Sequence, residues 1–253
     1  MITRRLHLLG LALFGAMVAF APAAALAAQT QVAVAANFAE PAKEIAAAFK
    51  AASGHTAILS FGSSGQFYAQ ISHGAPFEVF LSADAKRPLK AEREGLAAPR
   101  TRFTYAVGRL VLYSTTAGLV DGAGAVLAGG RFNKLAIADP ASAPYGAAAV
   151  QTLRKLRVYD AVKPRIVTGS SIAQAYQFVA TGAAELGFVA LSQVIGEPGG
   201  SRWIVPAADH APIEQQAILL KTGQDNPAAR AFLAFLKGPA AAAIIRKYGY
   251  EVK

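Results

Sequence analysis

Short apolar runs alternate along this chain with stretches whose apolar positions recur every three or four residues. The run at 32–36 is apolar throughout and reads as a buried strand, and the mostly apolar runs at 57–61 and 79–82 read as the next two. Between them, 38–52 places Ile45, Ala46 and Phe49 on one helical face and meets Gly54 just past its end. A short helix is predicted over 66–72 and a charged one over 85–93, stopped at Gly95. A second alternation begins near Gly108, with strands at 110–113, 135–138, 166–168 and 186–190 and helices at 147–156 and 172–180. After strands at 203–205 and 216–220, the chain closes on helices over 227–236 and 239–248. Lys237-Gly238-Pro239 separates these two helices as a stop followed by a start. This order predicts an α/β protein with mostly parallel sheets flanked by helices. With no internal repeat and no long linker, the two α/β blocks should sit close together around a ligand cleft.

Four of the strand-to-helix junctions share a chemistry. They read AANFAEP (35–41), FGSSGQF (61–67), DPASAPYG (139–146) and TGSSIAQ (168–174). Each leaves the orphan N–H groups of a helix start facing the space beyond a sheet, where the helix dipole favours negative charge. Asn37 with Glu40, Ser63 with Gln66 and Ser171 with Gln174 have the three-residue offset of a capping box. Any one of these alone is an ordinary cap. The third junction differs, because Pro144-Tyr145-Gly146 reads as a turn that sets a phenol and bare backbone near a helix start. Four such ends in one crevice would hold a small oxyanion with neutral donors, avoiding the desolvation cost of a buried Lys or Arg. A protonated anion would also need an acceptor. No junction sets a carboxylate at the ligand edge: Asp139 is the nearest, and Asp84 reads as the cap of its own helix.

Composition narrows the setting. Of the 253 residues, 54% are hydrophobic, enough to bury a substantial core. Arg4 and Arg5 precede an apolar run at 8–20 and the small-residue pattern Ala25-Leu26-Ala27. That is an export signal, 1–28, cut near Ala27 or Ala28, and it implies a periplasmic protein. Thr3-Arg4-Arg5 leaves the choice between general secretory and twin-arginine export open. There is no cysteine, which excludes thiolate metal sites, cysteine nucleophiles and a lipid-bearing cysteine anchor. The net charge is +10, of which Arg4 and Arg5 supply two. The remaining basic residues are scattered, a pattern that suits anion attraction better than a nucleic-acid face.

Other classes fit less well. A serine hydrolase would need a nucleophile setting, and the chain has no G-x-S-x-G elbow. His55 and His73 fall at helix ends, and Asp209-His210 lies in a surface segment. No helix-turn-helix precedes the lobes, as a DNA-binding regulator would require. A sugar would want an aromatic platform, whereas Trp203, the one tryptophan, sits in a strand where core packing is expected.

The chain resembles the periplasmic molybdate-binding proteins of ABC transporters. The resemblance rests on VAVAANF, SFGSSGQFYAQI, GAPFEVFLSAD, ADPASAPYG, ELGFVA and the terminal AFLAFLKGPAAAAIIRKYGY, and it spans the mature chain. It implies a type II periplasmic-binding fold, with lobe one at 29–107 plus 208–253 and lobe two at 108–207. It implies a binding protein rather than an enzyme, with no cofactor and no cation site. The ligand is molybdate, with tungstate alongside, and sulfate, thiosulfate or another tetrahedral oxyanion is the alternative. The chain would be a monomer that closes on its ligand and docks on an inner-membrane permease. Carried over by motif, the ligand contacts fall at Ala36, Asn37, Ser64, Tyr145 and Ile172. Ser64 would donate hydroxyl and backbone N–H, Asn37 could donate its amide, and Ile172 would offer only its N–H. Where some members place a tyrosine after the GxV of the ELGFVA-like strand, this chain has Ala190, and Tyr145 would supply the phenol from the other loop.

Overall fold

A strand covered on both faces needs apolar residues at successive positions, and β1 (Gln29–Ala35) has them in Val32, Ala33 and Val34, all fully buried. Alternation along the strand sends them to opposite sides. Val32 and Val34 pack with Ile45, Phe49 and Phe232, while Ala33 packs with Phe67, Phe80 and Ile218. The computed structural model describes residues 27–252. Residues 1–26, which hold most of the expected export signal, lie outside the described part.

Two five-stranded sheets organise the described residues. In the first, β2 (Thr56–Gly62), β1, β3 (Val79–Ser82), β10 (Ile213–Leu219) and β4 (Phe103–Gly108) lie side by side. In the second the order is β7 (Ile166–Gly169), β6 (Leu135–Ala138), β8 (Leu186–Ala190), β5 (Leu110–Ser114) and β9 (Ser201–Ile204). The sheets are mixed rather than mostly parallel. β1 pairs parallel with β2 and β3, and β6 with β7 and β8, but β10 and β5 run antiparallel to both of their neighbours. Both antiparallel strands adjoin a passage from one sheet to the other: β5 opens the second sheet and β10 re-enters the first. Only Arg109 separates β4 from β5 at the first passage. The second is the segment 205–212. This is the two-lobed type II arrangement that the resemblance implies.

Helices cover both faces of each sheet. In the first lobe α1 (Ala39–Ser53), α9 (Pro227–Leu236) and α10 (Pro239–Lys247) share one core, and α2 (Ser64–Ser72) and α3 (Lys86–Arg93) lie opposite. The second lobe carries α4 (Val126–Gly129), α5 (Pro144–Lys155), α6 (Tyr159–Val162), α7 (Ile172–Ala180) and α8 (Leu191–Val194). Its core runs from Leu112, Leu135 and Phe188 to Leu153 and Val179. Trp203 packs into that core as expected.

Several boundaries differ from the sequence reading, and three of them bear on the site. β4 is not apparent in the sequence, because FTYAVG mixes polar and apolar residues and merges with β5 across a single residue. α5 starts at Pro144, not at 147, because proline at the first helical position needs no N–H partner. Tyr145 and Gly146 are therefore first-turn helix residues and not a turn before one. After β1 the chain makes one 3-10 turn over Ala36–Phe38 before α1, and no side chain caps either start. Glu40 instead bonds to Lys43 at 2.7 Å on the surface, so the expected Asn37–Glu40 capping box does not form.

Candidate functional site

The four junctions meet. Ala36 and Asn37 after β1, Ser63 and Ser64 after β2, Pro144 and Tyr145 after β6 and Ile172 after β7 line one pocket. Both lobes contribute, each at the carboxyl ends of its parallel strands, where open α/β sheets leave room for a ligand. No Lys, Arg, Asp or Glu is among the lining residues. All five residues expected from the sequence, Ala36, Asn37, Ser64, Tyr145 and Ile172, are brought together here.

Capping decides which donors stay free. Ser63 forms a reciprocal box with Gln66: its Oγ accepts the Gln66 N–H at 3.3 Å, and its own N–H donates to Gln66 Oε1 at 3.2 Å. Those groups are used up by the helix. Ser64, the next residue, opens α2, and a first-turn N–H has no intrahelical acceptor. Its Oγ accepts the Ala83 N–H at 2.9 Å, which leaves the hydroxyl proton to donate elsewhere. The fourth junction repeats the scheme with a variation. Ser171 Oγ accepts from Gln174 N–H at 3.3 Å, while Gln174 Oε1 takes the N–H of Ser170 at 2.6 Å. Ile172 then opens α7 and lines the pocket with its side chain buried, and its first-turn N–H has no intrahelical acceptor.

Tyr145 is 1% exposed, in the first turn of α5. Burial, with the neighbouring Tyr250 adding to it, pushes its phenol well above the ordinary value of 10.0, so the group stays protonated and can donate. Two glycines let it in. A Cβ on Gly108 would stand 2.1 Å from the Tyr145 hydroxyl oxygen, and one on Gly146 would stand 2.1 Å from the Ala138 carbonyl oxygen. The first leaves room for the phenol, and the second lets the start of α5 press against the end of β6.

Asn37 corrects one expectation. Its amide does not reach for a ligand. Nδ2 donates to Gln215 Oε1 at 2.9 Å and to the Tyr250 hydroxyl at 3.0 Å, so both amide protons are engaged. What Asn37 can offer an anion is its main-chain N–H. Tyr105 donates to the same Gln215 oxygen at 3.1 Å, and Tyr250 donates to the Asn37 carbonyl at 2.7 Å. Sequence reasoning missed this buried cluster. Its one signal was a run of polar residues, Glu214-Gln215-Gln216, inside a strand that is otherwise apolar. Asp139 is occupied as well: it accepts from Ala141 N–H at 3.0 Å and from Ser142 Oγ at 2.8 Å. Asp84 caps α3 as expected, through Arg87 N–H at 3.0 Å.

The lobes are closed on each other around the pocket. Gly65 N–H donates to the Ser142 carbonyl at 2.8 Å, next to Ser64 on one side and the start of α5 on the other. Arg87, paired with Asp84, reaches across with Nη2 to the Ala141 carbonyl at 2.9 Å. On the far side, Ser192 Oγ donates to the Asn37 carbonyl at 2.7 Å. Among the described residues no cluster of His, Asp and Glu could hold a cation. A pocket of main-chain and hydroxyl donors, closed off from water, can do one thing well, which is to replace the hydration shell of a small anion.

Comparison with known proteins agrees. Residues 30–251 match the family described as bacterial extracellular solute-binding protein. The molybdate-binding protein ModA of Rhodobacter capsulatus is 60% identical over 226 residues, covering 89% of each chain. That of Azotobacter vinelandii is 56% identical over 233 residues, covering 91% of this chain and 92% of its own. Among solved structures, a periplasmic molybdate-binding protein of Azotobacter vinelandii superposes with a TM-score of 0.86 at 44% identity. That match covers 88% of this chain and 99% of the other.

Proposed function

The chain belongs to the bacterial extracellular solute-binding proteins, and from that premise we propose that its interlobe pocket captures molybdate, with tungstate, for an ABC permease. It is a transport component and not an enzyme, and it carries no cofactor. The observation that carries the reading is the convergence of four chain segments from two lobes on one pocket with no charged lining residue.

The anion is held by the N–H groups of Ala36, Asn37, Ser64 and Ile172 and by the hydroxyls of Ser64 and Tyr145. All are donors, so a fully deprotonated dianion saturates them. Hydrogen phosphate would bring a proton that finds no carboxylate to accept it. Sulfate has the right charge but is smaller, and donors fixed at the starts of helices in two closed lobes would discriminate by ion size. The lobes are taken as 29–107 with 208–253 and as 108–207, hinged at Arg109 and at the 205–212 passage. Closure is favoured because only the closed state lets one ion bond to both lobes. One chain supplies both walls of the pocket, which supports action as a monomer. The 1–28 export signal and the periplasmic location of the Azotobacter protein support placement in the periplasm, where the closed form meets the permease.

Thermal melting against a panel of oxyanions tests this. At about a hundredfold excess over the dissociation constant, molybdate and tungstate should each stabilise the protein by about 2.7 kcal/mol. For a chain of this size that raises Tm by about 5–10 °C. Sulfate and phosphate at the same concentration should leave it nearly unchanged. Equal stabilisation by sulfate would transfer the assignment to a general tetrahedral-anion carrier.

A further inference from the structure

Gln215 has no exposed surface and lies on β10, at the position where the register between β10 and β4 shifts by a bulge. A buried amide needs partners at both ends, and its neighbours decide which end goes where. Asn37 Nδ2 and the Tyr105 hydroxyl both point at one atom, Gln215 Oε1, at 2.9 and 3.1 Å. Two donors on the oxygen leave Nε2 as the end that faces Tyr145, 3.5 Å from its hydroxyl oxygen. The side chains meet over Gly108, where a Cβ would stand 2.9 Å from Nε2 and 2.1 Å from the phenol oxygen. An amide N–H offers no lone pair. The phenol proton therefore cannot turn back toward Gln215. The Tyr250 hydroxyl also neighbours it, but that oxygen already accepts from Asn37 Nδ2 at 3.0 Å and its proton goes to the Asn37 carbonyl at 2.7 Å, so the pocket is the open direction.

We propose that Gln215 is a positioning residue for anion selectivity, one that sets the Tyr145 hydroxyl as a donor toward the pocket and denies it the acceptor role. The proposal rests on the molybdate-site reading and deepens it. A phenol free to rotate could accept the proton of a hydrogen-phosphate ion while the other donors held its remaining oxygens. A phenol locked as donor presents its proton to a group that already carries one. Gln215 thus acts against partly protonated tetrahedral anions without touching the ion, and it also ties the Asn37 side of the pocket to the Tyr145 side.

The test is a double-substitution cycle read by calorimetry with molybdate and with inorganic phosphate. Gln215→Met keeps the length and removes both polar ends. It should weaken molybdate by about 3–10-fold, the value of one hydrogen bond, and narrow the gap between molybdate and phosphate. In a Tyr145→Phe background the same substitution should change the molybdate-to-phosphate ratio by less than about twofold, because the hydroxyl through which Gln215 sets selectivity is gone, while any loss through Asn37 falls on both ions alike. An equal change of that ratio in both backgrounds, or a ratio unaltered by Gln215→Met alone, would overturn the proposal while leaving the site reading in place. If Tyr145→Phe by itself leaves molybdate binding unchanged, the site reading fails and the proposal falls with it. Should Gln215→Met fail to fold, Gln215→Glu keeps the shape and the acceptor oxygen but adds a second acceptor that draws the Tyr145 proton inward. The groups facing position 215 are the phenols of Tyr105, Tyr145 and Tyr250, all raised above 10.0 by burial, with Asp84 acting on Tyr105. The phenols do not titrate near neutrality, so protonation of the new carboxyl is the event that changes the site. Molybdate affinity of Gln215→Glu should therefore recover as pH falls from about 8 to about 6, relative to the wild-type chain. A ratio to wild type that does not move with pH would overturn the proposal.

Discussion

Replacing Ser64 with alanine is expected to weaken molybdate binding by about 1.5–3 kcal/mol, or about 10–150-fold, the range for a hydrogen bond to a charged partner. The Ser64 side chain is buried at the start of α2, and its oxygen is already an acceptor for Ala83 N–H. That leaves its proton for the ion, in a bond shortened and strengthened by the ion's charge. The same substitution has a second consequence that does not need ligand. Ala83 is 2% exposed, and its N–H would lose its acceptor. A buried donor left unpaired costs about 1–3 kcal/mol, so the ligand-free protein should melt earlier as well. Calorimetry and melting measured together separate the two effects. Unchanged molybdate affinity would remove Ser64 from the ion's contacts, whatever happens to the melt.

Gly146→Ala should be more damaging than its size suggests. Inside a helix, alanine is ordinarily better than glycine by about 1 kcal/mol. Here the added carbon would stand 2.1 Å from the Ala138 carbonyl oxygen and 2.7 Å from its carbon. These are main-chain atoms at the end of a central strand, and they cannot rotate out of the way. The start of α5 must lift, and it takes Tyr145 with it. Overpacking of this kind costs about 1–3 kcal/mol, enough to cancel the helical gain and reverse its sign. Molybdate affinity should fall by about tenfold or more, since one charge-assisted bond is misplaced. A melt equal to or above that of the unsubstituted chain, with affinity intact, would show that α5 does not press on β6 as described.

Much of this was legible in the sequence, and the reason is that the informative interactions were local. Ser63 and Gln66, or Ser171 and Gln174, are three residues apart, so their offset alone announces a helix start. The strands at 32–36, 79–81 and 186–190 carry no polar side chain because they are covered on both faces, and a continuous run is easy to see. The joining of four junctions into one pocket was also inferable, since each follows the carboxyl end of a strand. The failures share the opposite cause. Asn37 was read with its sequence neighbour Glu40, but its amide is taken by Gln215, 178 residues away, and by Tyr250, 213 residues away. Gln215 meets Tyr145 across 70 residues. No spacing rule reaches that far. β4 escaped because only one face of FTYAVG is fully apolar, and the antiparallel entry of β5 and β10 follows from the lobe crossings and not from any property of those strands. Pro144 was visible, yet it was read as a turn because Gly146 follows it. Only the packing against Ala138 explains why a glycine stands in the first turn of a helix.

In this pocket a doubly negative tetrahedral ion must be dehydrated without a counter-charge. A crystal structure of the chain grown with molybdate tests that directly. The ion should sit between the lobes, within hydrogen-bonding distance of main-chain nitrogens at positions 36–37, 64 and 172 and of the hydroxyls of Ser64 and Tyr145, with no lysine or arginine in contact. An ion held by guanidinium or ammonium groups, or seated elsewhere on the molecule, would contradict it.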